Sequence, residues 1–124
     1  MNDDKDILVV DDDPDMVETI AMVLEASGYH CRTARNGREA LAEAQAKRPA
    51  VVLLDMTMPV MNGWECAREL RARYGHDVQV VAVTACEHIG ARANTVDADY
   101  VLPKPFDIEM LKAVVARSVK RPDV

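Results

Sequence analysis

Four short apolar runs of this chain stop on side chains that can do chemistry: "ILVVDD" on Asp11 and Asp12, "VVLLD" on Asp55, "VQVVAVT" on Thr84 and "YVLPK" on Lys104. Three carboxylates gathered in one place repel, and each raises the pKa of the others unless a cation neutralises them. A donor set made of oxygens alone, with no histidine or thiolate, suits a hard ion. A shell that the protein leaves incomplete, to be finished by water and a phosphate oxygen, suits Mg2+. Lys104 adds a second positive charge on a mobile ammonium, a form that pairs first with a carboxylate and then with phosphate oxygens. A carboxylate held between a metal and a lysine is a competent nucleophile towards phosphorus, and its product is an aspartyl phosphate.

That chemistry requires the four run ends to meet, which depends on the elements carrying them. The runs "ILVVD" (7–11), "HCRTA" (30–34), "VVLLD" (51–55), "VQVVAVT" (78–84) and "YVLP" (100–103) alternate with stretches of helical period. Met16, Val17, Ile20, Val23 and Leu24 form one stripe, opened by Asp13 as N-cap with Pro14 at the first helical position and closed by Gly28. Asn36 with Glu39 resembles a capping box ahead of Ala40, Leu41 and Ala44. Trp64, Ala67, Leu70 and Tyr74 make a third stripe ended by Gly75; Ile108, Leu111, Val114, Val115 and Val119 make the last, capped by Asp107. Between the fourth and fifth runs, Gly90, Asn94 and Thr95 interrupt a sparse pattern, so the fourth helix is expected to be short or mobile.

Strands alternating with helices, several apolar on both faces, imply a parallel sheet covered on each side. The expected fold is α/β, a flavodoxin-like (βα)5 three-layer sandwich with strand order 2-1-3-4-5, filling residues 1–124 as one domain. Right-handed crossovers put every strand's carboxyl end on one edge, and ligands bind there, between strands 1 and 3. Strand 2 ends in Ala34 and Arg35 and offers nothing to such a site.

Composition narrows the partners. A hydrophobic share of 49% and a charged share of 29% are those of a soluble globular protein, with no transmembrane run or secretory signal, so the cytoplasm is expected. A net charge of −6 and pI near 5.0 disfavour direct contact with nucleic acid or anionic membrane. Cys31, Cys66 and Cys86 lack CxxC spacing and read as small packing residues. His30, His76 and His88 show no metal or triad spacing, and Trp64 and the methionines are given packing or surface duties.

Ordinary alternatives exist for each site residue. Asp13 is a helix cap, since Pro14 follows it. Thr84 alone would be a β-branched strand residue and Lys104 alone a solvated lysine. Their places at strand ends, beside Asp11, Asp12 and Asp55, reverse those readings.

"ILVVDDDPDM", "LLDMTMPVMNGWE", "VVAVTA" and "LPKPF", in this order and spacing, resemble the receiver domain of two-component response regulators across essentially the whole chain. The resemblance implies that Asp55 is the phosphoacceptor, that Asp11 and Asp12 help hold Mg2+ with Asp55, and that the Thr57 backbone carbonyl completes the protein ligands. It implies that Thr84 donates its hydroxyl to the phosphoryl group, that Lys104 pairs with Asp55 or its phosphate, and that Lys104–Pro105 is cis. The phosphoryl group would come from a histidine kinase or a histidine phosphotransfer protein. A downstream effector protein would read the face made by the fourth helix, the fifth strand and the fifth helix. Thr57 and Cys86 would flank the path of attacking water and tune the lifetime of the phosphate. Pro59 and Gly63 suit the turn after Asp55, which folds back so that a backbone carbonyl reaches the metal.

The sequence departs from the family around its switch. Thr84 to Lys104 is about two residues shorter than usual, and the aromatic normally three residues before the lysine is replaced by Val101, with Tyr100 one place earlier. Strand side chains alternate faces, so Tyr100 should point away from Thr84. The chain is expected to act alone, as a switch that catalyses its own phosphorylation and not as a turnover enzyme, although "KRPDV" also suits the stub of a linker. A receiver fold that switches by association alone is the alternative. A haloacid-dehalogenase-like phosphatase is less suited, because its second aspartate is replaced by Thr57.

Overall fold

Runs of valine and leucine that are buried on both faces leave the backbone no water to bond with, and they satisfy each other in one sheet. The computed structural model describes residues 6–56, 63–85 and 98–119. In it β1 (Asp6–Val10), β2 (His30–Ala34), β3 (Val51–Asp55), β4 (Gln79–Ala85) and β5 (Tyr100–Lys104) pair in parallel, in the order β2-β1-β3-β4-β5. The described helices are α1 (Pro14–Ala26), α2 (Gly37–Ala46), α3 (Gly63–Tyr74) and α4 (Ile108–Val119). A single 3-10 turn, Gly75–Asp77, follows α3. α4 is the fifth helix of the expected alternation; the expected fourth falls on residues 86–97, outside the described set.

Residue parity divides the core in two. Leu8, Val10, Val52, Leu54, Val80 and Ala82 point to α2 and α3, packing on Leu41, Ala67 and Leu70. Ile7, Val9, Val51, Leu53, Val81, Val83 and Leu102 point the other way, to Val17, Ile20 and Leu24 of α1 and Leu111 and Val115 of α4. The helices lie on both faces, as the continuous apolar strands require.

The caps fix where each helix starts. Asp13 accepts from the amides of Asp15 at 3.0 Å and Met16 at 3.4 Å, which settles it as the N-cap of α1. Asn36 accepts from the Glu39 amide at 2.9 Å, while the Glu39 carboxylate reaches back to the amide of Arg35 at 3.0 Å, so the box closes one residue early. Asp107 accepts from the Met110 amide at 2.8 Å. Gly28 and Gly75 have φ of 98° and 58°, the left-handed values that end α1 and α3 without a Cβ penalty. Two expectations shift. β1 runs over Asp6–Val10 where the apolar run placed it at 7–11, and Ile108, placed in the core stripe of the last helix, is 55% exposed.

Candidate functional site

The sheet register aligns the strand ends. Val10 sits opposite Leu54, Asp55 opposite Val83, and Ala85 opposite Lys104, so Asp11, Asp55, Thr84 and Lys104 emerge on one edge. The backbone is tied as it turns out of the sheet: the Asp11 amide donates to Ala34 O at 3.2 Å and the Met56 amide to Val83 O at 3.1 Å.

Asp11, Asp12 and Asp55 each bring a carboxylate oxygen to within 4.8 Å of the others. Asp11 and Asp55 are buried, at 6% and 4% exposure, and Asp12 is exposed. Burial pushes the Asp11 carboxyl up to about 6, and the nearby charge of Asp55 adds to this; the Asp13 amide, donating to Asp11 Oδ1 at 3.0 Å, and the Lys104 ammonium pull it back. Lys104 Nζ lies 3.6 Å from Asp55 Oδ1. Among the described residues one ammonium stands beside three carboxylates, two of them buried, so the cluster carries net negative charge. The oxygen-only donor set, two members of it buried, fits a hard divalent cation.

The Thr84 hydroxyl is buried and has no hydrogen-bond partner among the described residues. Such a group costs about 1–3 kcal/mol, a reservoir that an arriving acceptor oxygen would release. Lys104–Pro105 is cis, as the resemblance implied. Thr57, whose carbonyl was expected to complete the metal ligands, and Cys86, the other expected lifetime-tuning residue, lie outside the described residues. Beside Lys104 opens an apolar groove of about 460 Å3 between α1 and the start of α4, lined by Met16, Ile20, Val23, Phe106, Ile108 and Leu111.

The two switch candidates fall on opposite faces. Val101 pairs with Ala82 and is on the Thr84 side, 37% exposed; Tyr100 pairs with Val81 and packs into the α1/α4 core. Its hydroxyl donates to Arg117 O at 3.4 Å.

Other charged side chains gather at the opposite edge of the sheet, where no local pattern marks them. Asp6, 1% exposed, meets Arg32 Nε at 3.2 Å and Lys47 Nζ at 3.5 Å. Asp99 accepts from Arg71 Nη2 at 2.7 Å and the Val80 amide at 2.9 Å, with His76 Nδ1 at 2.9 Å, so His76, to which the sequence assigned nothing, has a structural partner. Burial alone would raise the Asp99 carboxyl, but the bonds from Arg71, Val80 and His76 outweigh it and hold the group below the ordinary carboxylate range. Burial pushes the thiols of Cys31 and Cys66 up to about 11 and about 12, as expected of packing residues.

Comparison with known proteins agrees with this geometry. Residues 7–116 match the response regulator receiver domain, and the chain belongs to that family. It is 39% identical over 117 residues to the response regulator MprA of Mycolicibacterium vanbaalenii, covering 93% of this chain and 50% of that protein. The chain thus spans about half the length of the curated relatives it matches. Among solved structures, it is similar to TrrA of Thermotoga maritima in complex with Mg(2+)-BeF, with TM-score 0.84, 34% identity and coverage of 92% and 98% of the two chains. The chemotaxis response regulator CheY4 of Vibrio cholerae gives TM-score 0.84 with 32% identity, covering 91% of this chain and 97% of that one.

Proposed function

We propose that this receiver domain accepts a phosphoryl group on Asp55 from a phosphohistidine of a histidine kinase or phosphotransfer protein. It then passes the change of state to a downstream effector protein. The observation that carries this reading is the buried Asp55 carboxylate with Asp11 and Asp12 within 4.8 Å on one side and the Lys104 ammonium 3.6 Å away on the other. The similarity to TrrA, solved with Mg(2+)-BeF, supports Mg2+ as the ion that Asp11, Asp12 and Asp55 would hold, with the Thr57 carbonyl as a further ligand.

When bound, Mg2+ would neutralise charge on the transferring phosphoryl oxygens. An Asp55 carboxylate oxygen attacks phosphorus, the P–N bond of the phosphohistidine breaks, and the imidazole leaves with the electron pair. Lys104 turns from the Asp55 carboxylate to a phosphoryl oxygen, and the Thr84 hydroxyl donates to another. The new group adds about −1.5 to −2 of charge and three acceptor oxygens. Moving a two-state equilibrium from mostly off to mostly on requires about 5.5 kcal/mol, within reach of a few charge-assisted hydrogen bonds. The apolar groove beside Lys104 offers the donor protein a surface next to the nucleophile. Thr57 and Cys86 set how readily water reaches the phosphate. The output is a state rather than a released product, so the domain works as a switch and not as a turnover enzyme.

Intact mass after incubation with Mg2+ and acetyl phosphate tests this. One phosphoryl group should add to the wild type and none to Asp55→Asn or to the Mg2+-free sample. Failure of the wild type to gain mass, both here and with a histidine-phosphorylated donor, would overturn the reading in favour of a module that switches by association alone.

A further inference from the structure

The first residues of β5 are held from both faces of the sheet by contacts the phosphorylation chemistry does not use. On the α3 face, Asp99 closes a ring with Val80: its amide donates to Val80 O at 2.8 Å and its carboxylate accepts from the Val80 amide at 2.9 Å. This adds one rung to the parallel ladder, made half by backbone and half by side chain. The same carboxylate takes Arg71 Nη2 at 2.7 Å, while Arg71 Nη1 donates to Gly75 O at 2.6 Å and so stitches the end of α3 to the start of β5. Both partners are mostly sheltered, with side-chain exposures of 18% and 11%, so removing one of them costs more than breaking a surface ion pair. On the other face Tyr100 packs into the α1/α4 core and donates to Arg117 O near the end of α4.

We infer that Asp99 with Arg71 and Tyr100 with α4 form a two-sided clamp that makes β5 and α4 one rigid unit, so that Tyr100 is a fixed strut and not a moving part of the switch. The inference rests on the proposed phosphorylation only for its second half. Thr84 lies across the strand from Pro103, with Val101 as the next residue on that face, and Tyr100 is on the other side of the backbone. A Thr84 side chain that turns towards a phosphoryl group therefore vacates no space that Tyr100 can enter. The change that partners read must arise elsewhere than in a rotation of this ring.

Two measurements on the full chain test the halves separately. Amide hydrogen exchange in Arg71→Ala and in the milder Tyr100→Phe should quicken across β5 by at least about tenfold more than across β1 to β3, the factor that about 1.4 kcal/mol of local stability represents. Wild-type exchange in β5 of both variants would overturn the clamp. In protein labelled with 3-fluorotyrosine, the Tyr100 resonance, assigned by its loss in Tyr100→Phe, should keep its position when acetyl phosphate and Mg2+ are added. Intact mass on the same sample reports phosphorylation. A shifted or split Tyr100 signal in a sample that has gained the phosphoryl mass would overturn the fixed strut. Absence of the mass would count against phosphorylation, and the clamp would then be decided by exchange alone.

Discussion

The two edges of the sheet treat buried carboxylates in opposite ways. At the amino edge Asp6 has Arg32 and Lys47, and Asp99 has Arg71, His76 and a backbone amide, so each acid is matched by its own donors. At the carboxyl edge, among the described residues, three aspartates gather around one lysine, which lies 3.6 Å from Asp55, and the hydroxyl of Thr84 stays unbonded. Physical chemistry gives the first arrangement a structural purpose, since a paired buried acid fixes geometry. It gives the second a functional one, since charge left uncompensated favours any cation that enters. The contrast also appears in the carboxyls themselves. Asp99 is held below the ordinary range, while burial and its neighbours push Asp11 up to about 6.

Removing a countercharge should therefore cost far more at one edge than at the other. Arg71→Ala takes the guanidinium from the sheltered Asp99 and leaves it only the His76 ring and the Val80 amide among the partners described, and is expected to destabilise the fold by about 3 kcal/mol in urea melts. Lys104→Ala, which removes a one-third-exposed partner, should cost less than about 1 kcal/mol. Equal losses in the two variants would break the comparison. Next in size and opposite in sign is Asp11→Asn. At pH 7 without Mg2+ it should stabilise the protein by roughly 1–3 kcal/mol, because it deletes a charge that folding disfavours. The same variant should lose most of the stabilisation that Mg2+ gives the wild type, as thermal melts with and without the ion would show.

The pH profile sharpens the contrast with smaller effects. A carboxyl raised from 3.8 to about 6 in the folded state binds its proton more tightly there, so the contribution of Asp11 is present below about 3.8 and is lost as pH rises to about 6. Asp99, held low, contributes in the other sense: its stability is present above the ordinary carboxylate value and is lost as pH falls through its depressed pKa. Added Mg2+ should flatten the first slope and leave the second untouched. Urea midpoints between pH 3 and 7 would show a single metal-insensitive slope if the two edges were alike.

The carboxyl edge was readable from the sequence because topology alone brings strand ends together, and an apolar run that stops on Asp55 or Thr84 marks such an end. Asp13, Asn36 and Asp107 were equally legible, since a cap acts within three residues of its own helix. The amino edge was not. Arg32 lies 26 positions from Asp6, and Arg71 lies 28 from Asp99, so nothing local distinguishes these charges from solvated ones. Ile108 misled for a related reason: helical period places it on the apolar stripe, but at the first turn of α4 that stripe borders an open groove instead of core. The face of Tyr100 followed from strand alternation, whereas its bond to Arg117 O depended on how α4 docks.

The rung that Asp99 makes with Val80 also bears on how such a chain can vary over generations. Because β5 is indexed by a carboxylate and an amide at its own first step, residues gained or lost between Ala85 and Asp99 are absorbed before the strand begins. Tyr100 and Val101 keep their faces, and Lys104 still arrives level with Ala85 beside Asp55. A shortening of about two residues there, as the sequence leads one to expect, would thus be tolerated. The length of that segment can change while Lys104 stays in register beside Asp55.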